Sequence, residues 1–202
     1  NEVKNERLGD AGIRAALSLA TNREEIITEA LEGEATALHL PIPPGIFTFE
    51  NEFESPNPNV EVANQNLEEA DWKDEDGDGI REKDDTKLEV TITTTDWPEY
   101  VKTAEILKEQ WEQIGVGVNI ETISAGSIQQ TVVGPREYQI LLYGEVLSID
   151  PDPYAFWHST QTRNPGLNLS LLKDQEIDKL LEEARKETDK EVRKEKYIEF
   201  QQ

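Results

Sequence analysis

Two acid-rich runs carry residue types at spacings that could do chemistry. The first is Asp74-Glu75-Asp76-Gly77-Asp78-Gly79-Ile80. Carboxylates at alternate positions can converge on one hard cation, and a glycine at the sixth position permits the sharp turn between them. Ile80 would then offer its backbone carbonyl, and Asp85, at the twelfth position, would close the shell on a shorter arm than the usual Glu. Asp74, Asp76, Asp78, Ile80 and Asp85 are therefore candidate Ca²⁺ ligands, with a structural role rather than a regulatory one. The same residues also suit a solvated acidic turn leading into a strand.

The second run is Asp150-Pro151-Asp152-Pro153, followed by Tyr154, Phe156, Trp157 and His158. Asp-Pro repeats set sharp, pre-organised bends. Loop carboxylates are equally the places where ligands are held. Trp157 and His158 are candidates to stack on a bound molecule, although aromatics of such clusters also fill cores. Tyr143 ends an apolar run, and α/β sites gather at the C-terminal ends of strands. The candidate ligand residues are thus Asp150, Asp152, Trp157, His158 and Tyr143.

Other chemistry finds no local support. The chain has no cysteine, so disulfides, zinc-thiolate sites and thiol nucleophiles are excluded. Its two histidines, His39 and His158, are far apart, and no H-E-x-x-H, G-x-S-x-G or P-loop pattern occurs. With 43 acidic residues, close acid pairs arise by chance and do not argue for glycosidase chemistry. The expectation is a protein that is not an enzyme and requires no cofactor. A net charge of −23 repels phosphate backbones and makes nucleic acid a poor partner.

The elements that must position these residues follow from periodicity. Asp10 caps a helix whose one face carries Ile13, Ala16, Leu17 and Ala20, and Asn22 with Glu25 starts another that ends at Gly33. Prolines between Pro41 and Pro58 forbid regular helix there, and Phe47, Phe49 and Phe53 offer it buried anchors. A short helix is predicted over 64–72. Leu88, Val90 and Ile92 alternate as a strand, Asp96 caps a helix with Pro98 and Glu99 in its first turn, and Val116, Val118 and Ile120 alternate again. This is a βαβ unit with parallel strands. Residues 138–143 read as a buried strand, and helices beginning near Asp174 and Asp189 close the chain. A length of 202 residues with 36% hydrophobic and 31% charged residues suits one α/β unit.

Several segments, in order, resemble the family 5 extracellular solute-binding proteins, the peptide- and nickel-binding subunits of ABC importers. Ile13 to Ile27 is similar to the family's R-x-A-L helix pair, and Leu67-Glu68-Glu69-Ala70-Asp71-Trp72 to its L-L-x-x-A-G-W segment, with Asp71 in place of the usual glycine. Ala104 to Val118 resembles its A-x-x-[LI]…I-G-[IV]-x-V stretch, Asp150 to Ser159 its D-P-D-P region, and Asn168 with Asp178 to Arg185 completes the series.

The resemblance implies an α/β fold: one lobe of a type II periplasmic-binding-protein-like fold, with a mixed sheet and a βαβ unit flanked by helices. Residues 1–202 would be a single C-terminal-lobe domain truncated at both ends: the chain has no methionine to begin on, and its last helix stops at Gln202 without a C-cap signal. Its partners would be a peptide or other small solute, ABC permease subunits and the N-terminal lobe of the same protein. Its location would be extracytoplasmic, periplasmic or as a cell-surface lipoprotein, with the targeting segment outside this chain. Family members commonly pair an Asp near D-P-D-P with the peptide α-amino group; laid on this sequence that position falls on Ile149, leaving Asp150 from a shifted position or no reading of a free N-terminus. An acidic Ca²⁺-binding module with a structural role is the alternative function.

Overall fold

A computed structural model describes residues 6–45, 57–148 and 152–201. Its elements are, in order, α1 (Ala11–Ala20), α2 (Arg23–Ala30), α3 (Val60–Glu69), β1 (Glu82–Lys83), β2 (Thr86–Lys87), β3 (Glu89–Thr95), α4 (Pro98–Glu112), β4 (Gly117–Ile123), β5 (Ile140–Leu142), α5 (Tyr154–Trp157), α6 (Gln175–Lys186) and α7 (Lys190–Gln201). Short 3-10 turns lie at Glu6–Gly9 and Ser159–Gln161, and a π-helical turn at Gln129–Val133.

The strands form a parallel sheet in the order β4-β3-β5, with Glu89 opposite Gly117 and Ile92 opposite both Ile120 and Ile140. Among the described residues, antiparallel pairing occurs in the separate β1–β2 ribbon and at an isolated bridge between Lys73 and Glu82. Parallel strands need a crossover, and α4 supplies it between β3 and β4. As the central strand, β3 is covered on both faces. Val90 and Ile92 are buried as their alternation predicts, but so are Thr93, Thr94 and Thr95. The predicted strand at 138–143 pairs only over Ile140–Leu142, and these are half-buried.

The helix α1 buries Ile13, Ala16, Leu17 and Ala20, the stripe read from its spacing, and Asp10 accepts from the Gly12 N–H at 2.7 Å. That face meets α3 and α4 in one core with Leu67, Trp72 and Trp111. Burying a side chain of this size is worth about 1.5–3 kcal/mol. Gln110 is buried as well. It accepts from the Asn22 N–H at 3.1 Å and donates to Glu25 at 2.8 Å, fixing α2 to α4.

Two helix starts differ from the sequence expectation. The helix expected over 64–72 begins at Val60, because Asn59 accepts from the Val62 N–H at 3.0 Å and caps it. Trp97, not Asp96, is the N-cap of α4. The Asp96 carboxylate is already taken by the Ala125 N–H at 2.9 Å, tying the ends of β3 and β4, while Pro98 needs no donor at the first helical position. The anchors Phe47, Phe49 and Phe53 lie outside the described residues.

Candidate ligand site

The acidic loop closes on itself. Asp74 accepts from the Gly77 and Gly79 N–H groups at 2.8 and 3.0 Å, Asp76 from Asp78 at 3.1 Å, and Asp78 from Ile80 at 2.9 Å. Gly77 and Gly79 take positive φ, as the sharp turn demands. Oxygens of Asp74, Asp76 and Asp78 lie within 4.8 Å of one another. Lys87, reaching over from β2, places its ammonium 3.6 Å from Asp76 and in contact with Asp78. That hydrogen bond is the main reason the Asp78 carboxyl is held below the usual range and the Lys87 ammonium above it.

Asp85, the expected twelfth-position ligand, sits on the β1–β2 turn at φ 60°, outside this group, and Ile80 contributes its N–H inward. The fit to Ca²⁺ therefore stops at the first half of the loop, where a side-chain cation already stands. Behind the loop, Arg81 ties three elements together. It donates to the carbonyls of Ile114 and Trp72 at 2.9 and 2.8 Å and to the Asn64 side chain at 2.8 Å.

At the C-terminal edge of the sheet, Tyr143 follows β5 and is 38% exposed. Trp97, 52% exposed, packs edge-on to Tyr100 with ring centroids 5.9 Å apart. The Tyr100 hydroxyl approaches Gly144 so closely that a Cβ there would require the tyrosine to shift. Burial, and then the neighbouring Glu99 and Tyr143, push the Tyr100 phenol up from its ordinary pKa. Trp97 and Tyr100 extend the aromatic surface of Tyr143. The sequence presents them as a cap and a helix residue, with no signal of that grouping.

The segment after Pro153 is held from two sides. Asn168, fully buried, donates to the carbonyls of Trp157, His158 and Leu172 at 3.0–3.1 Å and accepts from Ser170 and the Leu172 N–H. From the other side, α6 lays three charged residues along the segment. Asp178 accepts from the Ser159 N–H at 2.7 Å and from its hydroxyl. Glu182 stands 3.5 Å from His158 Nε2. Arg185 pairs with Asp152 Oδ2 at 3.0 Å and lies 4.6 Å over the Tyr154 ring, which stacks on His158 at 4.1 Å.

These contacts sort the sequence candidates. His158, 4% exposed, is turned inward against Asp178, Glu182 and Tyr154, so it holds the segment rather than facing a ligand. Trp157 is half-buried, with one side against Phe200 at 6.1 Å. Its other neighbours form a slot of about 40 Å³ lined by Pro41, Ile42, Leu147, Phe156, Trp157 and Asp152. Asp152 and Trp157 are thus brought together, whereas Tyr143 is not part of the slot lining. Asp150 and Ile149 lie outside the described residues.

The profile of the bacterial extracellular solute-binding proteins, family 5 Middle, matches residues 1–166. The chain belongs to this family. It is 30% identical over 203 residues to the oligopeptide-binding protein AppA of Bacillus subtilis, covering 98% of this chain and 37% of AppA. Against the oligopeptide-binding protein OppA of the same organism the identity is 27%, covering 93% of this chain and 34% of OppA. The structure of Bacillus subtilis AppA in complex with a nonapeptide superposes with a TM-score of 0.90, covering 98% of this chain and 40% of that one, at 30% identity. Campylobacter jejuni NikZ, in complex with Ni(L-His), gives 0.87 at 27% identity, covering 98% and 40%. The chain spans well under half the length of these relatives.

As a family 5 chain it departs from the L-L-x-x-A-G-W pattern at Asp71. There the backbone takes φ 63°, and the helix α3 ends with the Asp71 and Trp72 N–H groups bonded to the carbonyls of Glu68 and Leu67. This is the C-terminal geometry that glycine serves best. Among the described residues no helix is long and apolar enough to cross a membrane.

Proposed function

We propose that residues 1–202 form the C-terminal ligand-capturing lobe of an extracytoplasmic solute-binding protein, which carries peptides or similar small solutes to the permease subunits of an ABC importer. The observation that carries this is the likeness over 98% of the chain to an oligopeptide-binding protein in complex with a nonapeptide. The ligand would meet the aromatic edge of Tyr143 and the slot at Asp152 and Trp157, and Asp150 is a further proposed contact. A nickel chelate is the second cargo class, because NikZ was solved with Ni(L-His). Among the described residues, the group able to hold a bare metal ion is the acidic loop, where Lys87 already stands.

The test uses the protein at its full natural length and follows tryptophan fluorescence while a mixed tri- to pentapeptide pool, and separately Ni²⁺ with L-histidine, is added. Saturable peptide binding is expected. A response to the nickel chelate alone would replace peptide as the cargo, and silence to both would overturn capture of either. The 202-residue chain by itself supplies one wall of the cleft, so its affinity should be weak, on the order of millimolar or about −4 kcal/mol.

A further inference from the structure

The aromatic edge of the sheet has a charge pattern of its own. Because β3, β4 and β5 are parallel, the segments that follow them leave from one edge. Those segments are 96–100, 124–127 and 143–148. They contain Asp96, Glu99 and Glu145 and no Lys, Arg or His. Among the described residues none of the three acids is held in an ion pair. Glu99 shares a separate groove with Lys102 and Ala30, and Asp96 already accepts from the Ala125 N–H. Glu145 has neither kind of neighbour. The segments 46–56 and 149–151 add Glu50, Glu52, Glu54 and Asp150 and no base, so neither can bring a countercharge.

Tyr100 joins the first of these segments to the last. Its ring packs against Trp97, and its hydroxyl lies against Gly144, the residue between Tyr143 and Glu145. The exposed rings of Trp97 and Tyr143 and the Glu145 carboxylate thus belong to one stretch of surface. Loss of water pushes the Glu145 carboxyl up from its ordinary pKa, so it has given up hydration without gaining a cation.

Ring faces attract cations, and a long cationic side chain can lay its methylenes on them while its head reaches a carboxylate. An α-ammonium has no such stem. The flat guanidinium of arginine also stacks on a ring, which the compact ammonium of lysine does not. We propose, resting on the peptide-capture function above, that the edge formed by Trp97, Tyr143 and Glu145 is a subsite for a cationic side chain of the bound peptide, arginine above lysine, with Glu145 as its counter-ion.

The test uses the protein at its full natural length and glycine-serine hexapeptides carrying one arginine at each position in turn. Each is compared with the same peptide carrying citrulline, which keeps the shape and removes the charge, and each pair is made with a free and an acetylated N-terminus. At one preferred position arginine should bind about tenfold tighter than citrulline, lysine should fall between them, and acetylation should leave the ratio in place. Glu145→Gln should cut the arginine-to-citrulline ratio at that position at least threefold, and Glu145→Lys should reverse the preference. Glu145 is exposed, so both variants should fold. Equal binding of arginine and citrulline at every position overturns the inference and leaves peptide capture intact. A preference of the same size at every position reports only the general acidity of the protein and overturns it too, as does one that vanishes on acetylation or survives Glu145→Gln unchanged. If no peptide of the panel binds, the peptide function fails, and the inference falls with it.

Discussion

Asp74-x-Asp76-x-Asp78 and the run ending at Asp152 are alike on paper and opposite in the folded chain. In the first, each carboxylate accepts from a backbone N–H of its own loop, and Lys87 supplies the cation between Asp76 and Asp78. In the second, a distant arginine takes one oxygen of Asp152, and the other is buried without a hydrogen-bond partner among the described residues. Alternating acids therefore report turn geometry. Whether they can also hold a ligand depends on what the rest of the fold has already delivered to their oxygens. Each region has a polar hub as well, the half-buried Arg81 behind the loop and the fully buried Asn168 behind the slot segment.

The sharpest way to separate the two regions is to remove one hub at a time. Asn168→Ala strips donors from the Trp157, His158 and Leu172 carbonyls and an acceptor from the Leu172 N–H. Leaving buried groups unpaired costs about 1–3 kcal/mol each, so a loss of about 3 kcal/mol or more is expected. That lowers the melting midpoint by roughly 6–12 °C in a chain of this size. Amide exchange should accelerate over 154–172 and not over 72–82. Uniform acceleration would mean the two regions are not separately anchored.

The mirror experiment is Gly115→Ala. Gly115 has φ 80°, and an added Cβ would stand 2.7 Å from Arg81 Cγ. A left-handed alanine costs about 1–2 kcal/mol by itself. Displacing Arg81 from the Ile114 and Trp72 carbonyls adds to that, for about 2–3 kcal/mol in total. Here the exchange should accelerate around the acidic loop and spare the slot segment.

How much of this contrast was legible beforehand depends on sequence distance. The α1 stripe, the βαβ unit and the glycine at the end of α4 are set by neighbours a few residues apart, and the residues alone predict them. Asp152 with Arg185, Ser159 with Asp178, and Lys87 with the loop are pairs that only tertiary packing makes. Asp96 shows the same limit in a local motif. Its side chain would serve as a cap, but the Ala125 N–H, brought alongside by the parallel pairing of β3 and β4, takes it first. His158 looks like a ligand contact because histidine beside aromatics often is one, and the fold turns it into a buried brace between Tyr154 and α6.

A smaller effect of opposite sign is expected where the chain keeps an aspartate in a glycine conformation. Asp71 at φ 63° ends α3 immediately before the buried Trp72. Asp71→Gly removes the left-handed penalty and its 3.4 Å pair with Lys73, which is exposed and worth little. The variant should gain about 0.5–1 kcal/mol, seen as a melting midpoint higher by a few degrees. A lower midpoint would mean that the Asp71 carboxylate does more for the loop than its exposed pair with Lys73 indicates.

The smallest change in stability, and the most direct attack on the contrast, is Lys87→Met. The Asp78 carboxyl is lowered chiefly by its hydrogen bond to Lys87, so its contribution is present above the unfolded carboxylate pKa and fades as pH falls through the lowered value. The Lys87 ammonium is raised by the same bond, so its contribution is complete below the unfolded lysine pKa and fades as pH rises through the raised one. The pair therefore acts across the whole span between them. Because both groups are exposed, salt should weaken it. Without Lys87 the oxygens of Asp74, Asp76 and Asp78 remain within 4.8 Å of one another with no side-chain cation among them. The variant should melt slightly lower in EDTA and recover on adding millimolar Ca²⁺, since a ligand that binds only the folded state stabilises it. The native chain should melt at the same midpoint in either. A native midpoint that rises with Ca²⁺ would break the contrast, because the ion would then be displacing Lys87 and the loop would be an open site like the slot at Asp152.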